Sequence, residues 1–229
     1  MKDLVLFTHV FRTGGMAAYD YLKSAGVRVG RPTFEEIVSK RIPWEQYDIL
    51  VVHAPYNIGK FIPGRRKHYV TFLREPHDRI VSRYFSAQDP DATWDTMLGN
   101  FRSGNFNSPD NMMTRMLRDH TEPQMKLGFW ETTIHRPVTW GDLREAQFNL
   151  EANYLFVGLT KWWEESMGWL CRYFDWPPPG GRHANDNASR YRPDRELPDE
   201  IMEALYRREV LDTHLYFLAE TLANDYLWR

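Results

Sequence analysis

Two segments carry cationic and hydroxyl side chains in turns of a kind that binds phosphate. In the first, an apolar run at residues 4–8 leads into the turn Arg12–Thr13–Gly14–Gly15. In the second, an apolar run at residues 69–73 leads into Arg74, and Ser82 follows eight residues later. A glycine turn that opens a helix presents unpaired backbone N–H groups to an anion, and a guanidinium and a hydroxyl can bind one phosphate together. The pair of segments predicts a ligand with phosphate groups at two places.

Each segment alone has a plainer interpretation. The first is also compatible with a tight turn between a strand and a helix, Arg74 with a structural ion pair, and Ser82 with a helix surface. The first turn is not the Gly-x-x-x-x-Gly-Lys-Ser/Thr phosphate loop, and it lacks that motif's magnesium-binding hydroxyl. A metal-dependent kinase or NTPase is therefore disfavoured, and the scattered histidines have no metal-ligand spacing.

Composition narrows the class of protein. The chain has 229 residues, 15% aromatic residues with nine tryptophans, and a formal net charge of −2. That charge gives no global attraction to nucleic acid or to an anionic membrane. The single cysteine excludes an internal disulfide and a cysteine-based zinc site. No leader and no apolar run long enough to span a bilayer stands out, so the expected location is cytoplasmic.

The order of predicted elements indicates an α/β fold. Four apolar runs are predicted strands, at residues 4–8, 49–53, 69–73 and 154–159. Helical patterns fall at residues 16–24, 33–40, 79–87, 111–118, 143–149, 162–174, 198–207 and 210–226. Continuous apolar runs are typical of strands that are covered on both faces, so the alternation predicts a parallel sheet. We expect a single domain over residues 1–229, with a helical or loop insertion at 89–140 and a mobile segment at 181–195.

The two turns resemble the cofactor-binding motifs of sulfotransferases that use 3′-phosphoadenosine 5′-phosphosulfate (PAPS). The similarity is greatest to the carbohydrate and heparan 2-O-sulfotransferase-like branch of bacterial type. Residues 72–85 nearly match that family's Phe-Leu-Arg-Asp-Pro-x-x-Arg-x-x-Ser-x-Tyr-Tyr, and residues 8–17 resemble its Phe-His-Ile-Pro-Lys-Thr-Gly/Ala-Gly-Thr-Ser. Weaker matches follow in the family's order at residues 52–56, 111–117, 156–160, 187–189 and 212–216.

The resemblance implies a role for each matching residue. The first turn would hold the 5′-phosphosulfate, and Arg74 with Ser82 would hold the 3′-phosphate. His53 would be the general base for the acceptor hydroxyl, because an imidazole titrates near neutral pH, although a structural histidine is the alternative. Tyr56 and Arg115 are the predicted acceptor contacts, with a helix-face ion pair as the alternative for Arg115. The other predicted cofactor-binding residues are Arg12, Thr13, Gly14, Gly15, Met16, Ala17, Asn187, Ser189 and Arg190.

Two departures from the family pattern bear on activity. Arg12, which is also a predicted catalytic residue, stands where the family has a lysine that stabilises the departing charge. Arginine keeps the positive charge but does not release a proton. Met16 and Ala17 replace a threonine and a serine, which removes two hydroxyls from the 5′-phosphate site while the backbone N–H groups remain. Each missing hydrogen bond is worth about 1 kcal/mol.

The resemblance and the element order together give one expectation for fold and function. The fold class is α/β, a P-loop-NTPase-like three-layer sandwich with a central parallel sheet and helical insertions. The function is direct in-line transfer of the sulfuryl group from PAPS to a hydroxyl of a carbohydrate, which leaves PAP and needs no metal. Two alternatives remain open, a degenerate module that binds PAP or another nucleotide, and a sulfotransferase for a peptide tyrosine or a small metabolite. Tryptophans that could stack on sugar rings lie at positions 94, 130, 140, 162 and 163.

Overall fold

A single five-stranded sheet organises the chain. The computed structural model describes residues 3–86, 92–106, 108–178 and 198–228. The strands are β1 (Leu4–Thr8), β2 (Val29–Gly30), β3 (Ile49–Val52), β4 (Lys67–Leu73) and β5 (Tyr154–Leu159). They are all parallel and lie in the order β2-β3-β1-β4-β5. The first strand of the chain is therefore the central strand of the sheet.

Helices connect and cover these strands. They are α1 (Gly15–Ser24), α2 (Phe34–Val38), α3 (Pro76–Phe85), α4 (Trp94–Arg102), α5 (Met112–Leu117), α6 (Glu122–Met125), α7 (Trp140–Ala152), α8 (Trp163–Phe174), α9 (Asp199–Arg208) and α10 (Val210–Trp228). Short 3₁₀ segments lie at Trp44–Gln46, Tyr56–Phe61 and Thr160–Trp162, and a π-helical turn lies at Trp130–Ile134. Within the described residues, no helix has both the length and the apolar character needed to cross a bilayer.

Both faces of the sheet are buried. Successive side chains of a strand point to opposite faces, and in β1 Leu4 and Leu6 join one apolar cluster while Val5 and Phe7 join another. The first cluster includes residues of α5, α7 and α10, and the second includes residues of α1 and α8. A parallel sheet with helices on each side makes this a three-layer α/β arrangement.

The predicted elements agree with the structure except at several boundaries. Strands β1 and β5 have the predicted bounds, whereas β2 was not predicted because it contains two residues only. Helix α3 begins at Pro76 rather than at residue 79, because Glu75 accepts a hydrogen bond from the Asp78 N–H at 2.7 Å and Pro76 suits the first helical position. In the described part of residues 89–140 the structure has helices and a π-helical turn and no strand.

A buried charge cluster ties α3 to the C-terminal helices. Arg79 of α3 is 1% exposed, and its Nη2 lies 3.0 Å from Glu209 Oε2 and 3.9 Å from Asp212 Oδ2. The Asp212 carboxylate also accepts backbone N–H groups of α5, because Met113 N and Thr114 N donate to it at 2.9 and 2.8 Å. The cluster therefore links α3, α5 and the start of α10 with charges that have no access to water.

Asn111 completes the same cluster from the other side. Its side-chain Oδ1 accepts the N–H groups of Leu211 and Asp212 at 2.9 and 3.1 Å, which caps α10. Its own N–H donates to Glu209 Oε2 at 3.0 Å. The left-handed backbone at Asn111 (φ 45°) makes both contacts possible, and asparagine adopts this conformation more readily than most residues.

Replacement of the buried arginine will destabilise the fold. Arg79→Met leaves the buried Asp212 carboxylate without its cation and leaves Glu209 with only the partly exposed Arg208, so we expect the free energy of unfolding to fall by about 3–5 kcal/mol. The matched control is Arg207→Met, because Arg207 pairs with Glu203 while 79% of its side chain is exposed. Exposed pairs contribute little, so this variant should unfold like the wild type in urea. Equal losses in the two variants would contradict the assignment.

Candidate active site

Three adjacent strands deliver chemically useful residues to one edge of the sheet. Thr8, the last residue of β1, is in register with Val52 of β3 and Thr71 of β4. The chain therefore leaves the sheet at neighbouring points, and His9, His53 and Arg74 are each the first residue after their strand. Ligands of open α/β sheets bind at such carboxyl edges.

The turn between β1 and α1 leads into a helix whose first N–H groups have no intrahelical acceptor. The backbone has positive φ at Arg12 (69°) and at Gly14 (82°), and the buried Thr13 hydroxyl donates to the Val10 carbonyl at 2.9 Å, which holds the turn closed. The first backbone bond of α1 runs from Ala18 N to Gly14 O at 3.0 Å. Helix geometry thus provides no intrahelical acceptor for the preceding N–H groups, at residues 15–17.

The structure brings the two predicted phosphate turns together. The Arg12 guanidinium donates to Ser82 Oγ on α3, from Nε at 3.2 Å and from Nη2 at 3.1 Å. Arg12 is exposed and Ser82 is half-buried, so both side chains can be reached from solvent. Seventy residues separate them in the sequence, and the contact joins the turn after β1 to the helix after β4.

Arg74 lies at the start of the second turn. Its Nη2 is 3.8 Å from Asp78 Oδ2 of α3, and 19% of its side chain is exposed. The carbonyl of Leu73, the preceding residue, accepts the Thr160 hydroxyl at 3.1 Å, which ties the end of β4 to the end of β5. Arg74 therefore places a positive charge directly after β4, at the carboxyl edge of the sheet, where it pairs with Asp78.

A hydrogen bond to backbone fixes the tautomer of the neutral His53 ring. Its Nδ1 lies 2.8 Å from the His9 carbonyl oxygen. Because a carbonyl only accepts, Nδ1 must carry the hydrogen, and the neutral ring then has an unprotonated Nε2. Burial lowers the pKa of His53 below its ordinary value; the hydrogen bond to His9 opposes this shift, and Arg31 adds to it. A neutral imidazole with a bare Nε2 is able to accept a proton.

Two rings cover the faces of His53. The His9 ring lies 4.2 Å from it at an interplanar angle of 28°, and the Phe11 ring lies 4.2 Å away on a nearly parallel plane, at 10°. Phe11 also contacts Phe129 edge-on at 6.1 Å. Neither His9 nor Phe11 is among the site residues predicted from the sequence. The sulfotransferase pattern offered one signal for Phe11, because that pattern has proline at the position of Phe11.

The two predicted acceptor contacts lie in packed surroundings. Tyr56 is half-buried, with its ring 4.8 Å from that of Tyr69 and 5.5 Å from that of Tyr154, and burial raises the pKa of its phenol. The Arg115 guanidinium is buried, with its Nε 2.7 Å from the Asp110 carbonyl and its Nη1 3.0 Å from the Ile134 carbonyl. Arg115 thus supports backbone in the helical layer, and nothing places it beside Arg12 or His53.

The structure describes only some of the other predicted contact residues. Asn187, Ser189 and Arg190 lie outside the described residues, as does the whole 181–195 segment. Two of the five predicted sugar-stacking tryptophans are largely exposed, Trp130 at 60% and Trp140 at 53%. Of these two, Trp130 connects to the site through Phe129, which contacts Phe11. Trp130 follows Phe129 in the chain, and the two ring centroids are 6.0 Å apart.

Comparison with known proteins adds no assignment for this site. Neither a protein-family model nor a curated protein matches the sequence. In the part of the chain that the structure describes, no group of three or more His, Cys, Asp or Glu side chains is arranged to hold a metal ion. The chemistry of the site must therefore be read from its own residues.

The close approach of Gly15 to His9 can be tested directly. A β-carbon at Gly15 would overlap the His9 ring, so Gly15→Ala must displace that ring or the turn, and we expect a loss of about 1–3 kcal/mol in the free energy of unfolding. Gly99→Ala in α4 is the control, since a β-carbon there meets nothing within 4 Å. That variant should be unchanged or slightly stabilised in urea unfolding. Wild-type stability in Gly15→Ala would contradict the geometry.

Proposed function

We propose that this protein is a PAPS-dependent sulfotransferase that transfers a sulfuryl group to a hydroxyl of a carbohydrate. One observation carries the proposal: the ends of β3, β1 and β4 bring together a neutral histidine, a glycine turn with Arg12, and the Arg74–Ser82 segment. A phosphate-binding turn after the central strand also supports the P-loop-NTPase-like form of the α/β fold. The match of residues 72–85 to the family motif supports the choice of ligand.

The donor set suits a ligand with two separate anionic groups. The turn at Arg12 offers backbone N–H groups at the start of a ten-residue helix, where the helix dipole adds attraction for an anion. Arg74, just before α3, offers a guanidinium, and Ser82, in the second turn of α3, offers a hydroxyl. In the proposed arrangement the first group holds the 5′-phosphosulfate of PAPS and the second holds the 3′-phosphate. PAPS supplies the activated sulfuryl group, and this chain supplies the contacts that hold it in line with the acceptor.

In the proposed transfer, His53 accepts a proton and Arg12 stabilises the developing negative charge. His53 Nε2 takes the proton of the acceptor hydroxyl as that oxygen forms its bond to sulfur. The bond from sulfur to the phosphate oxygen breaks, and its electron pair stays on the departing phosphate. Arg12 stabilises the charge that develops there, as preorganised cations do at such positions. Since arginine does not release its proton, the phosphate of PAP leaves as an anion.

The saccharide class of acceptor is supported by the aromatic surface beside the base. Phe11 covers His53, Phe129 contacts Phe11, and Trp130 contacts Phe129. Trp130 presents most of its indole to solvent, and the apolar C–H face of a sugar ring can pack on such a surface. A second sugar of an oligosaccharide acceptor would meet Trp130 while the reacting hydroxyl lies at His53.

PAP binding tests the cofactor half of the proposal. We expect the wild type to bind PAP in calorimetry, and Arg74→Ala to weaken binding by about 10- to 100-fold, because a hydrogen bond to a charged group is lost. Ser82→Ala should weaken it by a smaller factor. Arg83→Ala is the matched control, since Arg83 is exposed on the same helix next to Ser82. Equal affinity in Arg74→Ala and Arg83→Ala would refute the 3′-phosphate assignment.

Transfer of labelled sulfate from PAPS to a panel of saccharides tests the catalytic half. We expect His53→Ala to lower turnover by at least about 100-fold through loss of the general base, with unchanged PAP affinity. His135→Ala is the control, because 60% of the His135 side chain is exposed. Arg12→Lys should remain active, since the charge beside the departing phosphate is kept. Wild-type turnover in His53→Ala would remove His53 from the mechanism.

A nucleotide-binding module without turnover is the second candidate. Met16 and Ala17 favour it, because neither side chain can donate a hydrogen bond to the 5′-phosphosulfate. Tight PAP binding without transfer to saccharides, to a tyrosine peptide or to small hydroxyl compounds would support this candidate. Activity gained in Arg12→Lys would instead indicate an enzyme with a reduced rate.

A further inference from the structure

The His53 imidazole is the middle ring of a three-ring stack. His9 and Phe11 lie on its two faces at equal centroid distances of 4.2 Å, and both belong to the segment that follows β1. The His9 carbonyl accepts the Nδ1 hydrogen at 2.8 Å. Rotation of the imidazole about its Cβ–Cγ bond would break this hydrogen bond and separate the stacked faces. One orientation of Nε2 is therefore selected.

His9 contributes a buried ring that carries no charge. It is 4% exposed, and burial lowers its pKa well below the ordinary value, with His53, Arg31 and Arg12 acting in the same direction. Its buried Nδ1 has no hydrogen-bond partner among the described residues. Gly15 leaves the space that the ring fills. A buried polar atom without a partner is costly, so this placement calls for a reason beyond packing.

We propose that Phe11 and His9 are positioning residues for the general base, because they clamp the His53 ring and hold Nε2 in one orientation towards the acceptor. The role of His53 as base rests on the proposed function, whereas the clamp is a property of this chain's geometry. Phe11 stands where the sulfotransferase pattern has proline, whose ring has no flat aromatic face. The phenyl half of the clamp is therefore a departure from that pattern.

The clamp also controls the proton affinity of His53. Phe11 excludes water from one face of the imidazole and His9 from the other. The titratable and charged groups that act on the two histidines are each other, Arg31 and Arg12, and none of these groups is a carboxylate. Loss of the phenyl ring admits water, which stabilises the protonated imidazole and raises the pKa of His53. In a plot of the transfer rate against pH, the fall on the acid side then occurs at a higher pH.

The test uses Phe11→Leu, with Phe11→Tyr as the conservative rescue and Phe148→Leu as the control. Phe148 lies on α7 and is 61% exposed. The first measurement is the NMR titration of the His53 ring, assigned by comparison with His53→Gln. We expect the pKa of His53 to rise by about 0.5–1 unit in Phe11→Leu and to return to the wild-type value in Phe11→Tyr. Phe148→Leu should leave it unchanged.

The second measurement is turnover with PAPS and the best acceptor. We expect kcat to fall by about 10-fold in Phe11→Leu, with KM for PAPS within twofold of wild type, since misplacement of a base affects the chemical step. The fall of the rate on the acid side should shift by the amount seen in the titration. Phe11→Met, which is flexible and has no ring, serves as the second variant if Phe11→Leu does not fold.

Failure of the clamp and failure of the proposed function give different results. An unchanged His53 titration in both folded ring-deleted variants overturns the clamp, whatever the activity. A shifted titration in a protein that transfers no sulfate supports the clamp while the sulfotransferase proposal fails. A loss of activity that appears only as weaker PAPS binding overturns the positioning role, and so does an equal pKa shift in Phe148→Leu.

Discussion

A buried cluster of charges fixes the helix on which the candidate site depends. The buried guanidinium of Arg79 faces the carboxylates of Glu209 and Asp212, and the partly exposed Arg208 reaches Glu209 Oε1 at 3.2 Å. Burial raises the pKa of Glu209 to about 7 against the opposing effect of Arg79, and burial likewise raises the pKa of Asp212. The cluster tolerates two carboxylates because the Asn111 N–H donates to Glu209 and N–H groups of α5 donate to Asp212. Displacement of α3 would remove the buried cation from both carboxylates, so α3 keeps one position.

The position of α3 decides what Arg12 can reach. Ser82 lies three residues after Arg79, less than one helical turn along α3, so the cluster that holds Arg79 also places the Ser82 hydroxyl. Arg12 meets that hydroxyl from a backbone conformation with φ of 69°, which is unfavourable for a side chain of its size. A compact anion that bound between the two turns would compete with Ser82 for the same guanidinium donors. The surrounding fold stabilises Arg12 in this unfavourable backbone conformation.

The sequence predicts the sheet better than it predicts the site. Strands β1 and β5 are continuous apolar runs between polar segments, so their bounds follow from local pattern, and helices α1 and α8 follow in the same way. Arg79 also stands out as part of the segment at residues 72–85, but its partners lie 130 or more residues away and only tertiary packing identifies them. The stack on His53 is hidden for the same reason, because no spacing rule relates residue 11 to residue 53. The placement of Arg115 among backbone carbonyls likewise follows from the fold of the helical layer.

Two opposing effects act on the pKa of His53, the charge of a bound anion and the cover of the ring. An anionic ligand at Arg12 and Arg74 would bring several negative charges close to the imidazole, and nearby negative charge raises the pKa of a histidine. An uncovered His53 would then hold its proton at neutral pH and could not take one from an acceptor. Cover by His9 and Phe11, with the positive charge of Arg31, lowers the same pKa. In the proposed mechanism the clamp would therefore offset the negative charge of the bound nucleotide and keep His53 unprotonated where transfer needs a base.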